Sequence, residues 1–296
     1  MTPTSVADNN TLSAHCPICS ATAHKVVHAM CTMASPLAVP GAILQCKECG
    51  MWFKAISALN SIEQAYDQQY GEDAALSPYM HSTATHAFLR RVLKQAKPQT
   101  GSTQPMLLDI GCGTGTMLEE AQTLGYVPEG IELCHDLAAI ARKKGFSVRQ
   151  GNAMGLNETE KYDVVTAMDI IEHISSPLTL LRAIHQSLKP GGELVVYTPN
   201  HRGAVVILAK ILATVGVDFA FRNIFGGNHV CFFDDYTLTA ALRAADFQIR
   251  GMWKFPYDPR RPGMRVSLAN LAIIRAVEEL GRPFGAVFRM IVFARK

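Results

Sequence analysis

The sequence of 296 residues has little of several features that would narrow its function at once. Its longest apolar stretch, residues 204–217, is interrupted by Lys210 and is shorter than the roughly 20 residues that a helix needs to cross a bilayer. Charged residues make up only 18% of the chain, and the net charge is +3. Charge therefore gives no support for a polyanionic partner such as nucleic acid.

The N-terminus lacks the pattern of an export signal. Residues 1–11 contain no basic start followed by an apolar run, so we expect a cytoplasmic protein. Without such a signal, eight cysteines in a chain of this length favour reduced thiols or metal ligands over a disulfide scaffold. The apolar content of 48% is enough for one large domain with a buried core and a second, small one.

Four of the cysteines form two pairs with the spacing of a zinc site. Two residues separate Cys16 from Cys19, and two separate Cys46 from Cys49. This spacing lets both thiolates of a tight turn point at one ion, and two such turns supply four tetrahedral ligands. We therefore predict a structural Zn²⁺ site of the zinc-ribbon type in a module over residues 1–60. Two alternatives stay open, a redox-active cysteine pair and reduced cysteines without metal, and no strand-helix-strand pattern supports the first.

The rest of the chain divides into a connector and a larger domain. Residues 66–97 have a helical apolar face and are followed by a polar, Pro/Gly/Ser-rich linker at residues 98–105, so residues 61–105 are predicted to connect the two domains. From residue 106 to residue 296, apolar runs alternate with helical periodicity. This alternation predicts an α/β fold with a seven-stranded Rossmann-like sheet and helices on both faces.

Boundaries for several elements follow from the same patterns. Ser176 and Pro177 are predicted to start a helix whose apolar face extends to Leu188 and which Pro190 stops. The predicted strands cover residues 106–110, 162–165, 193–198, 247–255 and 286–294, with a short one at 51–53 in the N-terminal module.

A glycine-rich turn follows the strand predicted at residues 106–110. Gly111, Gly113 and Gly115 stand where backbone must approach a ligand closely. Thr116 replaces the further glycine of the dinucleotide fingerprint, which favours an adenosyl ligand over NAD. At the end of the next strand Glu132 is placed to bind ribose hydroxyls.

With these residues the chain resembles class I S-adenosylmethionine (SAM)-dependent methyltransferases over roughly residues 107–200. The segments at 151–153, 162–165, 169–174 and 188–192 match that family in order. The resemblance implies these cofactor contacts: Asp109 near the methionine amino group beside the Gly111, Gly113 and Gly115 loop, Glu132 on the ribose, Asn152 and Ala153 beside the adenine, and Asp169 at the methionine end. A Rossmann-like protein that binds another ligand, or that binds SAM without turnover, is the alternative.

Methyl transfer from a sulfonium requires that the acceptor be aligned with the methyl group and lose its proton. Residues 200–230 follow the fifth strand, so we interpret them as a lid over the acceptor; a helix packed on its own domain is the competing interpretation. Three histidines compete as general base, because their pKa lies near neutrality. His229, in a glycine-rich loop, is the first candidate, His173 the second, and His201 the third.

A small-molecule acceptor is favoured by the motifs that are missing. The chain has neither the Asn-Pro-Pro-Tyr motif typical of adenine or glutamine N-methylation nor a Pro-Cys nucleophile for pyrimidine methylation. The zinc module, residues 66–70 and the Rossmann-like domain together resemble bacterial sugar and natural-product methyltransferases, which act on oxygen or carbon. Sugar C-methyltransferases of that type often have a further C-terminal domain, so oxygen is the preferred acceptor.

Two other functions remain as alternative hypotheses. The zinc-ribbon pattern and the basic run at residues 260–265 would suit a protein that modifies or merely binds RNA, although a broad basic face with exposed aromatics is missing. The apolar segments at 204–217 and 266–280 would suit methylation of a lipid or quinone at a membrane surface.

Overall fold

The computed structural model describes residues 14–28, 41–55, 82–256 and 268–296 of the chain. In chain order, the strands of this described part are β1 (His24–His28), β2 (Ala42–Cys46), β3 (Trp52–Ala55), β4 (Met106–Ile110), β5 (Val127–Glu132), β6 (Ser147–Gln150), β7 (Tyr162–Met168), β8 (Leu188–Pro199), β9 (Cys231–Phe232), β10 (Gln248–Phe255) and β11 (Arg289–Arg295). Its helices are α1 (Thr83–Gln95), α2 (Thr116–Thr123), α3 (His135–Lys143), α4 (Pro177–Ser187), α5 (Ala204–Thr214), α6 (Phe219–Phe225), α7 (Asp235–Ala244) and α8 (Leu268–Gly281).

Seven strands form the large sheet in the order β10-β11-β8-β7-β4-β5-β6. The strands from β8 to β6 are parallel, and β11 and β10 complete one edge in antiparallel pairing. The chain runs from β4 outward to β5 and β6 and then returns to β7 on the other side of β4. This reversal opens a crevice beyond the carboxyl ends of β4 and β7, where open α/β sheets bind ligands. The predicted α/β fold with a seven-stranded sheet is confirmed.

The central strands are buried on both faces because helices cover the sheet on each side. Leu107 and Leu108 of β4 and Val164 and Val165 of β7 are almost completely buried, although they alternate between the two faces. Continuous apolar runs rather than alternating ones are what doubly covered parallel strands require. This explains why short apolar runs in the sequence identified these strands.

Three predicted element boundaries were wrong, the first at β7, which was predicted at residues 162–165 and continues to Met168. The other two have a local cause. Helix α4 ends at Ser187, and Leu188 is already extended and pairs with Tyr162 of β7, so β8 begins before Pro190. The last strand begins at Arg289 rather than at residue 286, because the backbone N–H of Ala286 turns back to the carbonyl of Gly281. In both places, turn hydrogen bonds and sheet pairing override the local apolar pattern.

The predicted linker at residues 98–105 is held firmly against the sheet. The buried carboxylate of Asp163 on β7 accepts hydrogen bonds from the hydroxyls of Thr100 and Ser102 and from the backbone N–H of Met106, at 2.7 Å. Lys189 forms an ion pair with the same carboxylate at 2.8 Å. Of the helix predicted at residues 66–97, α1 confirms the part from Thr83 onward, and residues 56–81 lie outside the described part.

The N-terminal module and the catalytic sheet share one core. Strand β3 pairs with β9, so β1, β2, β3 and β9 form a second, antiparallel sheet. Helices α5 and α6, from the segment predicted as a lid, pack on this sheet: Val206 of α5 and Phe221 and Phe225 of α6 belong to one buried cluster with Ile43 and Phe232. Among the helices of the described residues, none is both long and apolar enough to cross a membrane. The basic run at 260–265 and residues 66–70 fall outside them.

Candidate active site

An open cavity of about 290 Å³ lies at the carboxyl ends of the parallel strands β4, β5 and β6. Its walls are mainly apolar, with a few polar groups: Ile110, Gly111, Ile131, Glu132, Leu133, Gly151, Asn152, Ala153, Met154, Ile170, His173, Ile174, Ser175 and Ser176. A mostly apolar cavity with a few polar groups at defined positions is the usual form of a cofactor site. It brings together Gly111, Glu132, Asn152, Ala153 and His173 of the residues predicted from the sequence.

The glycine turn after β4 needs residues without a side chain. Gly111 has a φ of 73°, and a Cβ atom at this position would lie 2.1 Å from Cδ1 of Ile170. Gly115, with a φ of 89°, begins helix α2 in a left-handed conformation that favours glycine. Gly113 also has a positive φ and lies within the turn, whereas Gly111 lines the cavity itself.

Glu132 connects the glycine turn to the end of β5. Its side chain is 1% exposed, and its two oxygens accept hydrogen bonds from the backbone N–H groups of Gly113 at 2.8 Å and Cys134 at 2.9 Å. Burial raises the pKa of Glu132, although these hydrogen bonds oppose the shift. These two hydrogen bonds hold the carboxylate in the wall of the cavity.

The part of the cavity wall that follows β6 carries Asn152 and Ala153, the pair predicted to lie beside the adenine. The amide oxygen of Asn152 accepts the backbone N–H of Met154 at 2.9 Å and so caps a short 3₁₀ turn, Ala153–Gly155. Leu133 and Met154 also line the cavity and were not predicted. Leu133 directly follows Glu132, and Met154 directly follows Ala153. This adjacency is the only sequence signal that could have identified them.

The surroundings of Asp109 and Asp169 differ from those of the residues that line the cavity. Asp109 is 3% exposed and accepts the hydroxyl of Thr166 at 2.6 Å; burial, with the charge of Glu132 in the same direction, raises its pKa to about 7. Asp169, after β7, forms an ion pair with Arg289 at 2.6 Å. Neither carboxylate is among the side chains that line the cavity in the described ranges. No local sequence pattern indicated that Arg289 pairs with Asp169.

His173 and His229 come together next to the cavity. Their ring centroids are 4.7 Å apart with the planes nearly perpendicular, and Nδ1 of His173 lies 3.4 Å from the carbonyl oxygen of Asn228. Burial lowers the pKa of His173 to about 4 and the pKa of His229 well below its usual value. Both imidazoles are therefore neutral near pH 7 and can accept a proton or a cation. His201, the third candidate, is packed instead against the rings of Phe225 and Phe232.

The loop that carries His229 is held by the N-terminal module. Lys54 of β3 donates its backbone N–H to the carbonyl of Val230 at 2.8 Å and its ammonium group to the carbonyl of Gly227 at 2.7 Å. On the other side, the backbone N–H of Val230 donates to the carbonyl of Glu172 at 2.9 Å. The position of His229 therefore depends on β3, a relationship that no local sequence pattern indicated.

A second cavity, of about 150 Å³, lies between the N-terminal module and the catalytic domain. Ser175 lines both cavities, so the two adjoin at that residue. Lys54, Phe53 and Val230 contribute to the walls of the second cavity, together with residues near the first cysteine pair. A cavity of this size admits a group comparable to a single six-membered ring.

The four predicted metal ligands cluster in the N-terminal module. The sulfur atoms of Cys16, Cys19, Cys46 and Cys49 all lie within 4.8 Å of one another, with 3.5 Å between Cys16 and Cys49 and 3.5 Å between Cys19 and Cys46. Four thiolates bound tetrahedrally to zinc at about 2.3 Å lie about 3.8 Å apart. The cluster therefore fits a tetrahedral ion with little change in side-chain position.

Comparison with known proteins agrees with this geometry. A family model described as a methyltransferase domain matches residues 80–250, more than half of the chain. The ubiquinone biosynthesis O-methyltransferase of Xanthomonas oryzae pv. oryzae is 32% identical over 171 residues, which cover 54% of this chain and 70% of that protein. The enzyme of the same name from Xanthomonas campestris pv. campestris has the same identity and coverage.

Solved structures support the fold. A SAM-dependent methyltransferase from Archaeoglobus fulgidus superposes with a TM-score of 0.52 at 20% identity, covering 76% of this chain and all of that one. Another SAM-dependent methyltransferase, from Thermotoga maritima, gives a TM-score of 0.54 at 18% identity and covers 79% of this chain and 99% of its own.

Proposed function

The chain belongs to the methyltransferase-domain family and is a SAM-dependent methyltransferase, and from this premise we propose that it methylates a hydroxyl oxygen of a small molecule in a biosynthetic reaction. SAM supplies an electrophilic methyl group when it is bound. The chain's own residues must then hold the acceptor in line with that group and deal with the hydroxyl proton. The Xanthomonas relatives are named as O-methyltransferases, which supports oxygen as the acceptor atom.

The observation that carries this proposal is the pair of neutral imidazoles beside the cofactor cavity. His173 lines that cavity, and His229 contacts His173 from the loop that β3 holds. A neutral imidazole is a proton acceptor, and a hydroxyl group needs one when it attacks the methyl carbon. The adjoining cavity of about 150 Å³ would hold the ring or chain segment that bears the hydroxyl.

A screen with isotopically labelled SAM tests the proposal. The purified chain is incubated with panels of catechols, phenols, hydroxylated quinone precursors and sugars, and with amines and carbon nucleophiles as matched controls. We expect labelled methyl ethers from a hydroxylated ring and no labelled amine or C-methyl product. Transfer to amines or carbon, with none to hydroxyl groups, would contradict the proposed acceptor atom but not the family.

We propose further that Cys16, Cys19, Cys46 and Cys49 bind one structural Zn²⁺. The sulfur distances fit a tetrahedral ion, and four protein ligands would leave no open position for substrate. Zinc would then stabilise the small sheet that holds the His229 loop. Elemental analysis of the purified chain should find one zinc per chain at this site.

A lipophilic acceptor presented at a membrane surface is a second candidate. Helix α5 and the residues after it expose a row of large apolar side chains, including Ile211 at 57%, Val215 at 73% and Phe219 at 72%. Exposed apolar rows of this kind mark sites of interaction with other apolar surfaces. The relatives' involvement in ubiquinone biosynthesis supports the same acceptor class.

Liposome co-sedimentation tests this second candidate. If the chain binds membranes through this row, the double variant Ile211→Ser/Phe219→Ser should lose sedimentation with neutral and anionic vesicles. Tyr236→Ser, which removes another exposed ring outside the row, is the control and should keep it. Equal sedimentation of all three proteins, or no sedimentation of the wild type, would contradict membrane binding through this row. The first proposal, a small-molecule acceptor, would then be the one that stands.

A further inference from the structure

A buried carboxylate lies beside the two histidines of the candidate active site. Glu172 is in the 3₁₀ turn Ile171–His173 and is 0% exposed. One carboxylate oxygen of Glu172 and one ring nitrogen each of His173 and His229 all lie within 4.8 Å of one another. Two imidazoles and one carboxylate form a common ligand set for first-row divalent metals.

The hydrogen bonds of Glu172 leave room for a cation. Its Oε2 accepts the hydroxyl of Thr198 at 2.9 Å, which fixes the carboxylate plane. Its Oε1 is also buried and has no hydrogen-bond partner among the described residues. A buried carboxylate oxygen without a donor is costly unless something else satisfies it, and a metal ion at this point would do so.

The surroundings of Glu172 contain an ion pair, in which Arg289 and Asp169 lie 2.6 Å apart and largely offset each other's charge. Burial, with the charge of Asp169 in the same direction, raises the pKa of Glu172 to about 8. A metal ion at this point would therefore displace the carboxyl proton when it binds. A divalent ion bound by all three would be held at about 2.1 Å from each, with ligand atoms about 3–4 Å apart. The three ligand atoms lie within 4.8 Å of one another, which is close to that range.

From these observations we propose that Glu172, His173 and His229 bind one divalent transition-metal ion, such as Zn²⁺, Fe²⁺ or Co²⁺, at the acceptor side of the cofactor cavity. Three protein ligands leave open positions, unlike the four-cysteine site, and open positions are typical of catalytic metal sites. The proposal concerns metal binding by itself. Its consequence for catalysis, that a bound hydroxyl group would lose its proton more easily, rests on the proposed O-methylation.

The test uses the 296-residue chain, to which one equivalent of Zn²⁺ is added to fill the proposed four-cysteine site. Isothermal titration with Co²⁺, in the absence of SAM and acceptor, should show one additional site per chain. Glu172→Gln and His229→Ala should each weaken Co²⁺ binding by at least about 10-fold, and Thr198→Val, which removes the hydroxyl that orients Glu172, by about 10-fold or more. His185→Ala, a half-buried histidine that packs on Phe247 away from this cluster, is the matched control and should keep full affinity.

Several results would overturn the proposal. No Co²⁺ binding beyond the cysteine site, or binding that Glu172→Gln and His229→Ala leave unchanged, would mean that the cluster is not a metal site. Circular dichroism and thermal melting of each variant separate a lost ligand from a lost fold, and Thr198→Val keeps the test meaningful if Glu172→Gln fails to fold. Because the titration contains no acceptor, its outcome is independent of whether the chain methylates oxygen.

Discussion

Oε2 of Glu132 accepts a hydrogen bond from the backbone N–H of Gly113 at 2.8 Å. This contact joins the turn after β4 to the end of β5, the two segments whose ends form one side of the cofactor cavity. A carboxylate that orders the glycine turn and also lines the cavity can place both parts of an adenosyl ligand at once. Its removal should therefore affect cofactor binding before it affects the sheet.

We predict that Glu132→Ala lowers the affinity for SAM by about 2–4 kcal/mol, or about 30- to 700-fold. Two charge-assisted hydrogen bonds to the ribose would be lost, with partial compensation by water. Calorimetric titration measures the change. Glu129→Gln is the control, because Glu129 lies on the same strand but pairs with Lys161 and Tyr162 away from the cavity. Unchanged affinity in Glu132→Ala would mean that the cofactor lies elsewhere.

The raised pKa of Asp109 predicts a pH-dependent stability. Its pKa of about 7 in the folded chain lies above the usual value of 3.8, so the folded state binds more protons than the unfolded state between about pH 4 and pH 7. Stability from this group is therefore full below about pH 4 and is lost as pH rises to 7. The upper limit of the loss is about 4 kcal/mol. Melting temperatures of wild type and Asp109→Asn should converge near pH 4.5, and the variant should become relatively more stable by pH 8.

SAM should reverse this shift if its amino group lies beside Asp109. A nearby cation favours the ionised carboxylate, so binding near pH 6.5 should release a proton, and SAM affinity should fall as the pH drops below 7. Calorimetry in buffers of different ionisation enthalpy counts the released protons. Asp109→Asn should release fewer protons than the wild type. Equal proton release in both proteins would place the amino group away from Asp109.

Local patterns in the sequence were sufficient to predict the sheet and the cofactor turn. The apolar run of β4 and the glycines that follow it act over a few residues, and the positive φ of Gly111 and Gly115 explains why those positions hold glycine. Glu132 was predictable for the same reason, since it ends the next strand of a repeating unit. Short-range physics determines these features, so one sequence can indicate them.

Long-range contacts determine the acceptor side, and the sequence did not predict them. Lys54 binds the carbonyl of Gly227 across 173 residues, and β3 pairs with β9 over a similar separation. The lid interpretation of residues 200–230 did not foresee that α5 and α6 pack on the N-terminal sheet. In the sequence, Glu172 was identified only as part of a segment that matches the family. No local sequence pattern indicates that its side chain lies close to His229.

The zinc site should support catalysis more than cofactor binding. We predict that Cys46→Ser loses zinc and that hydrogen exchange then increases in β1, β2 and β3, while SAM affinity stays nearly unchanged. The turnover number should fall, because β3 supplies the Lys54 contacts that hold the His229 loop. Zinc content, hydrogen exchange and calorimetry measure these effects.

Cys231→Ser is the control for that variant. Cys231 is buried beside the module and donates to the carbonyl of Ile174 at 3.3 Å, a hydrogen bond that a serine hydroxyl can also make. It should keep zinc and normal exchange. If Cys46→Ser keeps zinc, or if SAM affinity falls as much as turnover does, the module does not have the separate role predicted for it.

The last prediction concerns His229. A general base is worth about 10²–10⁴ in rate, so His229→Ala should lower kcat by that factor and leave SAM affinity nearly unchanged. Burial holds the pKa of His229 well below its usual value, so the imidazole is neutral across pH 6–8 and the loss should be similar throughout that range. Steady-state kinetics over this range, with His201→Gln as a second buried histidine variant, provide the measurement.

Added metal distinguishes the two roles that His229 can have. If His229 accepts the hydroxyl proton directly, no concentration of Zn²⁺ or Co²⁺ restores the activity of His229→Ala. If it is a metal ligand together with Glu172 and His173, raising the metal concentration should recover part of kcat, because two ligands remain. A His229→Ala enzyme with full activity would exclude both roles, and catalysis would then depend on alignment of an acceptor that arrives already ionised.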